Sequence, residues 1–386
     1  MHSRLERKAP RLAKTLKEFE TQFKWLVIWL FLLPFRSRHL RQGGRLEPTK
    51  VRRVLFLRQD RIGDMVVTLP TIHALKRRYP HIAISVLASP ANVSVIKHDT
   101  AVSEIHLYNK RRLGDTLRTL RYIRRRRYDV FIDLMTGTSI TSLILTLLLA
   151  KGSYRIGLSK ESFRRYYDCY TREDVLGERH IAYQVGATLL PFGIDLTQEP
   201  LDGVVRLSAE QWEKGAQIVA QLCNNRYERM VGINISAGRV NRSWDQQLYA
   251  MALARLSRSY PQLQFVVLCD PRDYSRGVTV AKAGGSNVTI IPPGLSLAEV
   301  IAVISKLDCI LSPDTSICHI AAGLGVPLLG FYSGNEHNFN RFHPLGQRIW
   351  TVRANTPDSI DGITVEKYAA AFDNMMHELF DLAVTQ

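Results

Sequence analysis

Three short stretches hold the residue types that chemistry on an anionic substrate needs. The first is Arg58-Gln59-Asp60-Arg61-Ile62-Gly63-Asp64. It closes the apolar, β-prone run Val54–Leu57. Met65, Leu69, Ile72 and Leu75 then recur at helical spacing, which predicts a helix starting at Asp64. Such a strand–turn–helix corner lies at the carboxyl edge of a strand, where open α/β sheets bind ligands. Asp64 is open to two readings: an N-cap for the helix, or a carboxylate that takes a proton from a substrate. The second stretch runs from Asn234 to Trp244. Ser236, Ala237 and Gly238 let backbone amides approach an anion, and Arg239 and Arg242 supply cations, which is the composition of a phosphate site. In the third, Asp314, Thr315 and Ser316 open a helix whose free amides face outward. His319 lies one turn on and is either on that same side or a core histidine.

Positioning these corners takes alternating strands and helices. In the first half, strands are expected at Val54–Leu57, Ile82–Leu87, Ile105–Leu107 and Val130–Leu134, with a short one at Arg155–Leu158. Helices fall between them, at 65–79, 91–97 and 113–127, and another follows at 139–150. His180–Leu190 is a further helical stretch. The second half repeats the alternation, with strands at Met230–Ile235, Phe265–Leu268, Val288–Ile291, Cys309–Leu311 and Leu328–Tyr332. Parallel strands with crossover helices follow from this order. The expected architecture is α/β, with two Rossmann-like domains facing a cleft. Residues 1–50 form a basic extension and linker, 51–205 the first domain, 206–363 the second, and 364–386 a C-terminal helix.

The chain has 386 residues, 46% of them hydrophobic, and a formal net charge of +17. Residues 1–50 carry twelve Lys/Arg against four Asp/Glu, a net +8, and residues 108–128 carry nine against Asp115 alone, another +8. A surface so charged seeks nucleic acid, anionic lipid or a phosphorylated substrate. Arg124–Arg127 repel one another unless solvated or met by an anion. Nucleic acid is disfavoured, because the arginines lack the interleaved aromatics of a single-strand binder. Residues Trp25–Leu33 are apolar but too short to span a bilayer, and no small-residue cleavage site follows. Two tryptophans among cations fit an interfacial anchor on an anionic membrane through residues 1–45. The competing reading packs them on the protein's own core or a partner chain. Leu143–Ala150 reads as a buried helix. The five cysteines form no C-x-x-C pair, which indicates reduced thiols in a cytoplasmic protein and no zinc site. Cys318 reads as a small buried residue rather than a nucleophile.

Taken together, the first corner, Arg242-Ser243-Trp244 and the run Asp314–Pro327 resemble, in order and spacing, the heptosyltransferase family of glycosyltransferases. The match spans roughly residues 51–345. The resemblance implies a GT-B-type fold of two Rossmann-like domains, the first receiving the acceptor and the second a nucleotide-activated sugar, typically ADP-heptose. It implies Asp64 as catalytic base. It also implies Arg242, Asp314, Thr315, Ser316 and His319 as donor-site residues, to which the phosphate-site composition of the second stretch adds Ser236 and Arg239. Arg61, Arg124 and Arg125 are candidates for a phosphorylated glycolipid acceptor of the lipopolysaccharide inner core, at the inner face of the inner membrane. Three departures stand out. Arg242 replaces a common Lys, Ser316 a Gly, and Thr289 or Ile290 an acidic residue that some members place on the donor ribose.

The expected reaction is a single inverting displacement without a cofactor. Asp64 deprotonates the acceptor hydroxyl while Arg242 and backbone amides neutralise the leaving diphosphate. No Asp-x-Asp pair occurs, so no divalent metal is expected. Two other function classes compete: a sugar-nucleotide epimerase or hydrolase on the same fold, and a non-catalytic membrane scaffold. A nicotinamide oxidoreductase is disfavoured, since the first turn has one glycine rather than G-x-G-x-x-G.

Overall fold

The computed structural model describes residues 46–136, 139–172, 179–201, 203–223 and 227–382, so the anchor reading of residues 1–45 lies outside it. The first half contains β1 (Arg53–Leu57), α1 (Ile62–Arg78), β2 (Ala83–Ala88), β3 (Glu104–Leu107), α2 (Leu113–Arg126), β4 (Val130–Asp133), α3 (Ile140–Leu149), β5 (Tyr154–Gly157), β6 (Cys169–Tyr170) and α4 (Ile181–Gly186). The second half opens with α5 (Ala209–Leu222), β7 (Arg229–Asn234), α6 (Gln246–Ser259), β8 (Leu263–Leu268), α7 (Tyr274–Gly284), β9 (Val288–Ile290) and α8 (Leu297–Ile304). It closes with β10 (Cys309–Pro313), α9 (Ser316–Gly323), β11 (Leu328–Tyr332), α10 (Glu336–Phe342), β12 (Ile349–Arg353) and α11 (Val365–Phe380).

Each half builds one parallel six-stranded sheet, ordered β3-β2-β1-β4-β5-β6 and β12-β11-β10-β7-β8-β9. The central strands are buried on both faces: β8 is fully buried, and β1 is buried after Arg53. This is why they read as continuous apolar runs. Strand order reverses between β1 and β4 in one sheet and between β7 and β10 in the other. Ligand crevices form outside the carboxyl ends of strands at such reversals. Both reversals are flanked by the corners singled out above, at Asp64 and at Asn234 and Asp314.

The halves are joined by apolar contact. One buried cluster runs from Phe56, Leu69 and Ile72 of the first half to Ile301, Ile320 and Leu328 of the second. The Val205 amide donates to Gly323 O at 2.8 Å, tying the connecting chain to the end of α9. The C-terminal segment is not an appendage. Helix α11 buries Tyr368, Phe372, Met375 and Met376 in the second core, where Tyr368 stacks between Trp244 and Phe331.

Several expectations are corrected. Residues 91–97 hold only a 3-10 turn, Val93–Val95, and the helix expected over 180–190 gives way to 3-10 geometry after Gly186. Strands β6 and β12 and helix α10 were not foreseen. The two strands are partly exposed edges, where a continuous apolar run is not required. No helix of the described residues is long and apolar enough to cross a membrane.

Candidate active site

Helix α1 starts two residues earlier than the pattern predicts. Arg61 is its N-cap in an extended conformation, and Asp64 is the third helical residue. The N-cap reading of Asp64 is thereby corrected: its carboxylate caps nothing and is 29% exposed, within reach of a substrate. Arg58, almost wholly buried, braces the corner from beneath. Its Nε donates to Asp64 O at 3.1 Å and its Nη1 to Leu134 O at 2.5 Å and Asp60 Oδ2 at 3.3 Å, while Nη2 lies 3.7 Å from Asp64 Oδ1. Thr68 Oγ1 also donates to Asp64 O, at 2.8 Å. Burial pushes the Asp60 carboxyl up to about 6, against the pull of Arg58 and with the repulsion of Asp64.

In the second half, Asn234 at the end of β7 is the keystone. Its Nδ2 donates to Ser312 Oγ at 2.9 Å and Thr315 Oγ1 at 3.2 Å, locking the two strand ends together. Ser236 accepts from the Asp270 amide at 2.8 Å and donates to Asp273 Oδ2 at 2.6 Å. Thr315 is the N-cap of α9, accepting from the Ile317 amide at 3.3 Å, so the Asp314–Ser316 turn has the helix-terminus geometry foreseen for an anion site. Arg242 pairs with Asp314 at 2.9 Å. Burial raises the Asp314 carboxyl, opposed by Arg242 and by a hydrogen bond from Asn338. Arg239 is exposed beyond them. Trp244 belongs to the core rather than the site, donating to Ile363 O at 3.0 Å. Arg276 holds the turn's shape by donating to Ser243 Oγ at 2.9 Å and to Trp244 O.

The two halves meet at one point. A methyl group built on Gly63 would sit 3.1 Å from His319 Cδ2. A methyl group there would make the His319 ring give by a few tenths of an ångström, so glycine keeps α1 and α9 at their closest, and the approach sets Asp64 opposite the Asp314–Ser316 turn. Burial lowers the His319 imidazole to about 4; His343 and Arg242 lower it further and Asp64 opposes them. His319 is therefore neutral at pH 7, a spacer between the two helices rather than a cation. Cys318 is 1% exposed, its thiol pushed up to about 11 by burial, which removes the nucleophile reading.

Beside this point opens a cavity of about 360 Å³, within the range of small-molecule pockets. One wall is apolar: Leu268, Ile291, Pro292, Pro293, Leu295 and Val300. The other is the backbone of Ser236–Gly238 and the start of α9, and Ile62 of the first half reaches its rim. An apolar slot joined to an amide-lined turn suits a nucleobase followed by a diphosphate. The sequence reading missed the proline wall and Asp270, which also lines the cavity and pairs with Arg272 at 2.8 Å. An acidic side chain is thus present, from the loop after β8 rather than from the Thr289 region.

Of the residues expected to touch an acceptor, Arg61 stands exposed at the cleft corner. Arg124 and Arg125 do not join it. They lie in the last turn of α2, at the amino edge of the sheet, where Arg53 Nη1 donates to Arg126 O at 2.8 Å. A five-residue strand separates that edge from Asp64, roughly 15 Å. The sequence shows their charge but not the edge on which the helix ends.

Known proteins share this arrangement. Lipopolysaccharide heptosyltransferase 3 of Escherichia coli K12 is 23% identical over 296 residues, covering 72% of this chain and 82% of its own. The structure of a glycosyltransferase family 9 protein from Veillonella parvula superposes with a TM-score of 0.74 at 16% identity, over 86% of this chain and 99% of the other. The E. coli heptosyltransferase WaaC solved with ADP-2-deoxy-2-fluoro heptose gives 0.65 at 16% identity, over 83% and 99%. The model of glycosyltransferase family 9 (heptosyltransferase) matches residues 116–368, well over half the chain. The two facing sheets and their corners are thus the GT-B architecture, and the chain belongs to glycosyltransferase family 9, the heptosyltransferases, and is a glycosyltransferase.

Proposed function

We propose that this protein transfers heptose from ADP-heptose to a phosphorylated glycolipid acceptor of the lipopolysaccharide inner core, with inversion and without a metal, at the inner face of the inner membrane. The single observation that carries the reading is the Gly63–His319 approach, which sets a partly exposed carboxylate against an anion-ready helix start beside a nucleoside-sized cavity. The donor assignment draws support from the WaaC structure solved with an ADP-heptose analogue, and the acceptor class from the lipopolysaccharide heptosyltransferase relative.

In this reaction the acceptor oxygen bonds to the anomeric carbon as its proton passes to Asp64. The bond from that carbon to the diphosphate oxygen breaks, and ADP leaves with the electron pair. The amides at Thr315 and Ser316 and the guanidinium of Arg242 meet the charge that develops. Arg242 already lies 2.9 Å from Asp314, so a diphosphate would share or displace that partner. Asp64→Asn tests the assignment. Turnover should fall by about 10²–10⁴-fold with ADP-heptose affinity and melting temperature unchanged. Near-normal turnover in the folded variant removes Asp64 as base. Steady release of ADP without any acceptor assigns the site to donor hydrolysis instead.

A further inference from the structure

The outer face of α2 and α3 plays no part in the site. Both helices cover the same face of the first sheet, packing inward through Ile123, Leu145 and Leu149 against Phe131. Outward they present two i, i+4 pairs of large aliphatic side chains: Leu113 and Leu117, 69% and 51% exposed, and Ile144 and Leu148, 41% and 43%. Exposed Arg118, Arg121, Arg124, Arg125 and Lys151 flank them. Arg118 pairs with Asp115 at 3.2 Å, but among the described residues no carboxylate pairs with Arg121, Arg124 or Arg125.

We propose that this face docks on an anionic bilayer, its leucines and isoleucine entering the acyl boundary and its guanidiniums lying on lipid phosphates. Aliphatic anchors ringed by cations are what an interface of that chemistry selects. A nucleic acid would favour aromatic stacking partners, and the exposed aromatic of α2, Tyr122, is already engaged by Glu104 and by Arg126, which lies over its ring. A second copy would face the same arginines across a two-fold axis and repel itself. Arg53, at the start of β1, donates to Arg126 O, so the arginine-rich end of α2 lies at the amino edge of the sheet, away from the cleft. The inference adds to the membrane reading of residues 1–45 and rests on different residues.

Hydroxyl-radical footprinting of the full-length protein tests it, with vesicles of phosphatidylcholine alone and of phosphatidylcholine with phosphatidylglycerol. Labelling of Leu113, Leu117, Ile144 and Leu148 should fall severalfold with the anionic vesicles only. The combined variant Arg121→Glu, Arg124→Glu and Arg125→Glu should lower vesicle partitioning by about a hundredfold or more, since each cation near such a surface is worth roughly fivefold. Unchanged labelling of the four side chains in protein that still sediments with vesicles overturns the proposal and leaves the contact to residues 1–45. Loss of labelling that tracks protein concentration without vesicles assigns the face to a second copy, and equally overturns it.

Discussion

Gly63 offers the sharpest test of how the two halves cooperate. A methyl group there meets His319 Cδ2 at 3.1 Å, so the ring must yield by a few tenths of an ångström. The branched carbons of a valine reach about 1.5 Å farther, into space the ring occupies. Overpacking of this kind costs about 1–3 kcal/mol when it cannot relax. Here it can relax, because the clash lies at the starts of α1 and α9, which can shift locally while the shared cluster deeper in both helices stays packed. The cost then appears as misplacement of Asp64 rather than as lost stability. A shift of about 1 Å between reacting groups lowers rate by about 10²-fold. Gly63 is also the second residue of α1, so alanine removes part of the helix penalty of glycine, up to about 1 kcal/mol. Gly63→Ala is therefore expected to melt at or slightly above the wild-type temperature while losing a few-fold in kcat/KM. Gly63→Val should lose about 10²-fold with little change in melting. Heptosyl transfer followed by ADP release, beside differential scanning calorimetry, reads both quantities. Wild-type kcat/KM in the valine variant would refute the claim that this contact sets the catalytic geometry.

Arg242→Lys should keep the charge but lose the planar fork that reaches Asp314, raising KM for the donor less than Arg242→Ala does; equal effects in donor titrations would deny Arg242 any role beyond structure. Asp60 predicts a pH dependence. Its folded carboxyl is raised from 3.8 to about 6, so its contribution to stability is full below about pH 4 and is lost as pH rises through about 6, on the order of 3 kcal/mol. Asp60→Asn should therefore gain stability relative to the wild type between pH 5 and pH 8 in urea unfolding, and a pH-independent difference would contradict that environment. If leaving-group charge is met by Arg242 and amides alone, transfer should survive EDTA; abolition restored by a divalent cation would refute the metal-independent reading.

The parts of the site that were legible are those whose chemistry is local. Asp64, Thr315 and Ser316 sit within a few residues of their strand ends, and a strand–turn–helix pattern places them. Arg58 was not legible, because the groups it holds, Leu134 O and Asp64 O, come together only through the β1–β4 pairing. The proline wall read merely as a loop. Pro292 and Pro293 gain meaning only once β9 pairs with β8 and brings them over the start of α9. Arg124 and Arg125 show the opposite failure: a strong local signal whose location depends on which way a crossover helix runs. The helix start was misplaced because Ile62, the first helical residue, stands apart from the helical repeat that begins at Met65: it lines the cavity while packing on the edge of the core.

The apolar cluster that runs from one sheet to the other bears on folding as well as on the cleft. Phe56 and Leu69 share a continuous buried network with Ile301 and Leu328, so neither sheet can lose its packing without exposing part of the other. Two Rossmann-like halves would, on their own, be free to melt separately. Joined in this way they should act as one cooperative unit, with local opening confined to the rim of the cleft. A seam of this kind predicts that any motion accompanying substrate entry is a small pivot about it, with the Gly63–His319 contact kept.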